Sequence, residues 1–244
     1  MKRIDQKLLD AARYGDSAVC DEYLSKGASC NSVSEDDHKT ALRLAVESGS
    51  ESICRSLVKA GAILDTQDAE GWTALHIAAA RKAEAIGVSL ARAGASAGIY
   101  NNNRDTALML ACHHGCIALV SEMIRCKAPL DFQNRTGRTA LMLASMNGQH
   151  ALVDELIKAG ANVDIQDKDG WTALMLATKP WHEPICIKLI KARGSIHVRN
   201  RIGQTVVDLA PTLRNRDMLT RWYNESRRIE RRGPHHRKRT SARV

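Results

Sequence analysis

Asp68-Ala69-Glu70-Gly71-Trp72-Thr73-Ala74-Leu75-His76-Ile77-Ala78-Ala79 is the stretch on which the reading of this 244-residue chain turns. Asp-x-x-Gly predicts a tight turn. Thr73, next but one after the glycine, can accept a hydrogen bond from the free N–H groups of a helix start. Leu75 and Ala78, three apart, share one helical face. The frame then recurs: Thr40, Thr73, Thr106, Thr139, Thr172 and Thr205 each lie 33 residues after the last. Ala45, Ala78, Ala111, Ala144, Ala177 and Ala210 follow at the same offset. Lys59-Ala60-Gly61-Ala62, Arg92-Ala93-Gly94-Ala95 and Lys158-Ala159-Gly160-Ala161 form a second landmark. It closes a helix-spaced apolar run such as Ala151–Lys158, with Gly160 supplying the left-handed stop. One such unit of two short helices and a turn cannot bury its own apolar face, whereas stacked neighbours can.

Apolar residues make up 44% of the chain and aromatics 4%, with a single Phe, so the core has to be built from Leu, Ile, Val and Ala. No apolar run approaches the length of a membrane-spanning helix. Met1–Lys7 lacks the apolar core of a secretory signal. Seven cysteines without framework spacing fit a reducing compartment. The expected location is cytoplasmic, with nuclear or cytoskeletal placement as alternatives.

Asp68–Ala79 and Asp167-Lys168-Asp169-Gly170-Trp171-Thr172-Ala173-Leu174 resemble the ankyrin repeat, and the resemblance covers roughly residues 4–222. It implies an all-α ankyrin-repeat solenoid of about six repeats, followed by a basic C-terminal helix and tail. The implied layout is an N-terminal cap at 1–33 and repeats at about 34–66, 67–99, 100–132, 133–165 and 166–198. A C-terminal cap at 199–222 would complete the 1–222 domain, and the basic helix end and tail occupy 223–244. Pro211 is expected to shorten the last unit. Leu213 to about Arg232 reads as helix, and His235–Val244 as a disordered end.

The charge is concentrated. The chain carries +9 at neutral pH, and residues 221–244 hold nine Lys/Arg against two acids, leaving little net charge for the rest. Arg227, Arg228, Arg231, Arg232, Arg237, Lys238 and Arg239 are therefore candidates for contact with an acidic protein surface, nucleic acid or an anionic lipid surface.

Enzyme motifs are absent, and the repeat leaves no room for an inserted catalytic domain; no cofactor is implied. Cys112-His113-His114-Gly115-Cys116 has metal-ligating residue types. Cys112, however, falls in a small core slot of the frame, so packing plus surface histidines is the better reading. Cys54 and Cys186 occupy an apolar slot filled by Val120 and Val153 elsewhere. Met109, Met142 and Met175 recur at the position of His76 and read as core.

In the family, partners lie along the concave groove, on the turn tips and on the exposed end of each first helix. Carried onto this sequence, the tips give Trp72, Asp105, Arg135, Arg138, Trp171 and Arg201, and the helix ends give Arg81, His113, His114, Met146 and Lys179. The tips grade from acidic (Glu35, Asp36, Asp37, Asp68, Glu70) to basic (Arg104, Arg135, Arg138, Lys168, Arg201), which can orient a bound peptide. Lys179-Pro180-Trp181-His182-Glu183-Pro184 replaces the usual glycine junction and marks Trp181 as the leading contact candidate. The expected function is a non-enzymatic protein-interaction adaptor, a monomer or a subunit of a hetero-complex. The alternatives are a nuclear, nucleic-acid-associated factor using the Arg-rich end, and a structural component of a cytoskeletal or ribonucleoprotein assembly.

Overall fold

The computed structural model describes residues 3–35 and 39–231, except for the side chains of 229–231. The described residues are helical, joined by turns, with isolated bridges Val33–Thr40 and Tyr100–Thr106 and no strand. The chain divides into two compact units, Met1–Ala140 and Leu141–Val244.

The first unit holds α1 (Arg3–Tyr14), α2 (Ser17–Ser25), α3 (Ala41–Glu47), α4 (Glu51–Lys59), α5 (Ala74–Ala80), α6 (Glu84–Arg92), α7 (Ala107–His114) and α8 (Ile117–Arg125). From α3 onward the threonine frame sets the first helix of each pair: Thr40, Thr73 and Thr106 accept from the N–H of Arg43, His76 and Met109 at 3.2, 3.4 and 3.3 Å. First helices stack on first helices (α1 on α3, α3 on α5, α5 on α7), and second on second (α2 on α4, α4 on α6, α6 on α8). The core is the predicted one. Leu42, Ala45, Leu75, Ala78, Leu108 and Ala111 are buried, each leucine contributing about 1.5–3 kcal/mol of apolar burial. Gly87 lets α6 approach α8: a Cβ there would lie 2.7 Å from the Leu119 side chain.

The second unit holds α9 (Ala140–Met146, its first residue ending the first unit), α10 (His150–Lys158), α11 (Ala173–Thr178), α12 (Glu183–Lys191), α13 (Val206–Leu209) and α14 (Leu213–Arg231). Here α10 packs on α12, α11 on α13, and α14 on both α12 and α13. Leaving the helix at Ala210, the chain enters Pro211 and α13 stops after four residues, as the proline requires. The expected domain boundary at 222/223 falls inside α14. Leu219 is fully buried, Trp222 stacks on Trp181, Tyr223 meets the His197 ring at 5.2 Å, and the Ser226 hydroxyl donates to Ile190 O at 3.4 Å. This part of the helix closes the second unit.

Of the second helices, α2 is capped by Asp16, which accepts the Val19 N–H at 3.1 Å, while α4, α6, α8, α10 and α12 start without side-chain caps. Their first N–H instead returns to the preceding helix: Ser50 to Ala45 O, Ala83 to Ala78 O, Cys116 to Ala111 O, Gln149 to Ala144 O and His182 to Ala177 O, all at 2.9–3.0 Å. That reversal needs one left-handed residue, which Gly49, Gly115 and Gly148 supply and Lys82 (φ 58°) and Trp181 (φ 57°) must imitate. Arg104, Lys127 and Arg193 likewise stand in left-handed glycine slots of the repeat. Each such residue bears a cost of about 1–2 kcal/mol that glycine avoids.

Candidate partner-binding surface

From the second repeat on, each tip is built on one Asp or Asn. Asp68 Oδ1 accepts the N–H of Glu70 and Trp72 at 2.8 Å, and Asn101 Oδ1 those of Asn103 and Asp105 at 2.9 Å. Asn134, Asp167 and Asn200 repeat the pattern with Thr136 and Arg138, Asp169 and Trp171, and Ile202 and Gln204. Neighbouring tips are then tied by backbone: Asn102 N–H to Glu70 O and Arg135 N–H to Asn103 O in the first unit, and Arg201 N–H to Asp169 O in the second, each 2.9 Å. Within each unit the tips therefore present their side chains from a hydrogen-bonded ridge.

In the first unit, Trp72 is half-buried with its ring edge-on to His76 at 6.0 Å. His76 itself is fully buried. Its Nε2–H donates to Asp105 O of the next repeat at 3.0 Å, which leaves Nδ1 to accept from the Thr73 hydroxyl at 2.8 Å and the Thr73 N–H at 3.3 Å. Burial pulls its pKa below the usual 6.5. Asp105 also accepts from Asn134 Nδ2 at 2.8 Å, so its carboxylate holds two tips together. Arg81 is exposed and donates to Glu47 O at 2.9 Å. His113 is exposed and His114 half-buried, their rings edge-on at 4.8 Å; burial and the nearby His113 and Lys82 lower the pKa of His114. Arg135 is exposed and Arg138 half-buried.

The acidic end of the tip gradient is weaker than the sequence suggests. Arg43, standing where His76 stands one repeat later, pairs with Asp68 and, at 3.0 Å, with Glu47, which also takes Lys39 at 2.9 Å. Burial raises the Asp68 pKa, but the hydrogen bonds from Arg43 and the Trp72 and Glu70 amides outweigh it and bring the carboxyl below its usual 3.8. Asp36 and Asp37 lie outside the described residues.

In the second unit, Lys179 Nζ sits 5.8 Å from the ring centre of half-buried Trp171, and Arg201 is exposed. Met146 is half-buried and its carbonyl accepts from His182 Nε2 at 3.2 Å. Trp181 is half-buried, as Trp72 and Trp171 are. Its ring is stacked on Trp222 of α14, 6.3 Å between centroids at 21°, because the left-handed turn aims it at the terminal helix.

Of the basic end, Arg227 is turned onto Tyr223, its guanidinium 5.3 Å from the ring centre and donating to the hydroxyl at 3.3 Å, while Arg228 is exposed. Arg231 ends α14 and its side chain is not described. Arg232, Arg237, Lys238, Arg239 and the end expected to be disordered lie outside the described residues. Cys112 and Cys116 are buried apart from exposed His113, and Cys116 Sγ donates to Ala79 O at 3.6 Å. Among the described residues no group of three His, Cys, Asp or Glu is placed to hold a metal, and no helix is long and apolar enough to cross a membrane. Burial pushes the Cys54 and Cys186 thiols up to about 12 and about 11.

The sequence reading passed over Tyr100 and Phe132, which stack at 5.3 Å in the first unit with Arg104 against both rings. The signal was available: the chain's only Phe falls 32 residues after Tyr100, one short of the repeat, and Arg104 lies between them.

A family model described as ankyrin repeats (3 copies) matches residues 8–88, 85–167 and 141–220. Among solved structures, the chain is similar to the ankyrin repeat domain of Bcl-3, described as a unique member of the IkappaB protein family. Identity is 26%, the TM-score 0.77, and the match covers 88% of this chain and 97% of that one. It is also similar in fold to the human ASB11 ankyrin repeat domain, at 21% identity and TM-score 0.76, over 88% and 96% of the two chains. No curated protein matches it in sequence.

Proposed function

The chain belongs to the ankyrin repeat family, and from that premise we propose that it is a non-enzymatic adaptor that binds a protein partner along its tips and helix ends. The observation that carries this reading is the contrast between a buried frame and an exposed, variable register. Thr73, Leu75 and Ala78 and their equivalents in the next three repeats are buried, while Arg81, His113, Arg135, Lys179 and Arg201, on successive repeats, stand exposed. Such rows change partner without changing fold. The contact set is Trp72, Arg81, His113, His114 and Arg135 in the first unit and Met146, Trp171, Lys179 and Arg201 in the second. Trp181, stacked on Trp222, is assigned to the closure of the second unit instead. The folded body extends through Ser226, and the Arg-rich end beyond it binds an acidic protein surface.

The test is quantitative co-purification with mass spectrometry on the full chain, a chain ending at Ser226, and a Trp72→Ala/Trp171→Ala variant. The adaptor reading expects protein partners to survive the truncation and to fall by about tenfold or more in the tip variant. Partners lost with the truncation and kept by the tip variant overturn it. Nuclease sensitivity of the lost set transfers the function to the nucleic-acid alternative.

A further inference from the structure

We propose that a cleft around Arg104, within the Met1–Ala140 unit, anchors an acidic peptide segment of a protein partner by its carboxylates. The cleft is open, about 590 Å³, and lined by Gln67, Tyr100, Asn101, Asn102, Arg104 and Arg135 among others, with no acidic side chain in its lining. This deepens the adaptor reading and rests on it for the partner being a protein.

The Arg104 guanidinium is held in place. Tyr100 and Phe132 stack at 5.3 Å with 22° between their planes, and the Arg104 guanidinium carbon lies 5.6 Å from one ring centre and 5.1 Å from the other. A guanidinium resting on aromatic faces keeps its N–H edge free for a carboxylate and is ordered before the ligand arrives. Arg135 is exposed beside it, its backbone fixed by the bond to Asn103 O. Two guanidinium groups without an acid in the lining attract a ligand carrying several carboxylates.

Two further observations belong to the same place. Arg104 takes φ 59° in a tip slot where Gly71, Gly137, Gly170 and Gly203 stand, so the arginine is present against the preference of the backbone. Asn101, 2% exposed in the cleft lining, has a side-chain nitrogen without a partner. Asn134 satisfies the same atom with Asp105 of the preceding tip, but the residue preceding Asn101 in that position is Trp72, which offers no acceptor. An acidic ligand brings acceptors to a site rich in donors.

The arrangement favours a peptide over a nucleic acid. Single-strand binding needs open ring faces for bases. Here each ring has one face on the other with Arg104 beside both, so the 48% of Tyr100 that stays exposed offers a single base platform and not a row of them, and the guanidinium edges carry the recognition.

The test is an NMR titration of the full chain at low ionic strength, following the Arg Nε–Hε and Tyr100 ring signals. The probes are the peptide Ac-Glu-Asp-Glu-Glu-NH2, its neutral counterpart Ac-Gln-Asn-Gln-Gln-NH2, and a six-residue oligothymidylate. The acidic peptide is expected to shift Arg104, Arg135 and Tyr100 saturably and the neutral one to leave them in place. Arg104→Gly keeps the turn, since glycine fills that slot in other tips, and is expected to weaken binding about tenfold; adding Arg135→Gln weakens it further. Shifts confined to Arg227 and Arg228, or tighter binding of the oligothymidylate at the cleft, overturn the proposal. So does a co-purified partner retained by Arg104→Gly/Arg135→Gln but lost by Trp72→Ala/Trp171→Ala, and in that case the adaptor reading stands. If the peptide saturates the cleft while the full chain captures no protein, the site stands and the adaptor reading falls.

Discussion

The repeats at 67–99 and 166–198 are spelled almost alike, Asp68–Leu75 against Asp167–Leu174, and their tips close with the same Asx hydrogen bonds. They differ in how each is tied to its C-terminal neighbour. In the earlier repeat a buried His76 reaches across to Asp105 O, and Lys82 occupies the left-handed junction. In the later one Met175 fills the histidine slot with apolar bulk, and the junction carries Trp181, which stacks on the closing helix α14. One frame thus accepts two kinds of tie, a polar bridge between tips and an aromatic clasp at the junction. The difference teaches that the repeat pattern specifies a unit, while the residues departing from it specify how units are joined.

The largest effect expected is at the bridge. His76→Ala removes a buried ring and strands the Thr73 N–H that it accepts, at a cost of about 3 kcal/mol in urea unfolding. His76→Met, borrowing the later repeat's solution, restores the volume but not the hydrogen bonds and is expected to lose about half as much. Equal losses for the two substitutions would mean that the bridge is packing alone. Trp222→Ala comes next, at about 2 kcal/mol for the lost stack and buried area. Hydrogen exchange should then speed up in α12–α14 and stay unchanged in α1–α8; a uniform change would remove the clasp from the second unit.

The junctions separate strain from packing. Lys82→Gly relieves a left-handed residue and is expected to stabilise by about 1 kcal/mol. Trp181→Gly gains the same relief but loses the stack, and should come out near zero. Matching gains at the two positions would show that the stack with Trp222 contributes nothing. The smallest effect is in pH. His76 is held neutral, its folded pKa below the unfolded 6.5, so the unfolded chain binds more protons as pH falls through that range. Its contribution is present above 6.5 and drains away as pH drops toward the lowered folded value. His76→Met should flatten this part of the stability profile, and an unchanged profile would assign the slope to other groups.

Much of the fold was legible because its signal is arithmetic. A 33-residue recurrence of Thr, Leu and Ala gives helix starts and the buried face, and Gly61, Gly94 and Gly160 give the stops. The candidate surface was legible only as register. Asp105 and Asp68 sit at tip positions that the pattern marks as exposed, yet both are spent on structure, Asp105 by Asn134 and Asp68 by Arg43. Those partners stand 25 to 29 residues away in sequence and meet only when repeats stack. Trp181 stands out in the sequence as unusual, but its pairing with Trp222 depends on where α14 returns.

By itself the sequence determined the repeat, its helices, its core and its concentration of positive charge, because each rests on local periodicity or on composition. The tertiary structure alone decided which exposed-looking side chains are free and which are ties. It decided too that Arg104, Tyr100 and Phe132 share a site, because cation–π, stacking and ion-pair contacts depend on ångström distances between neighbouring repeats, and no spacing along one chain encodes them.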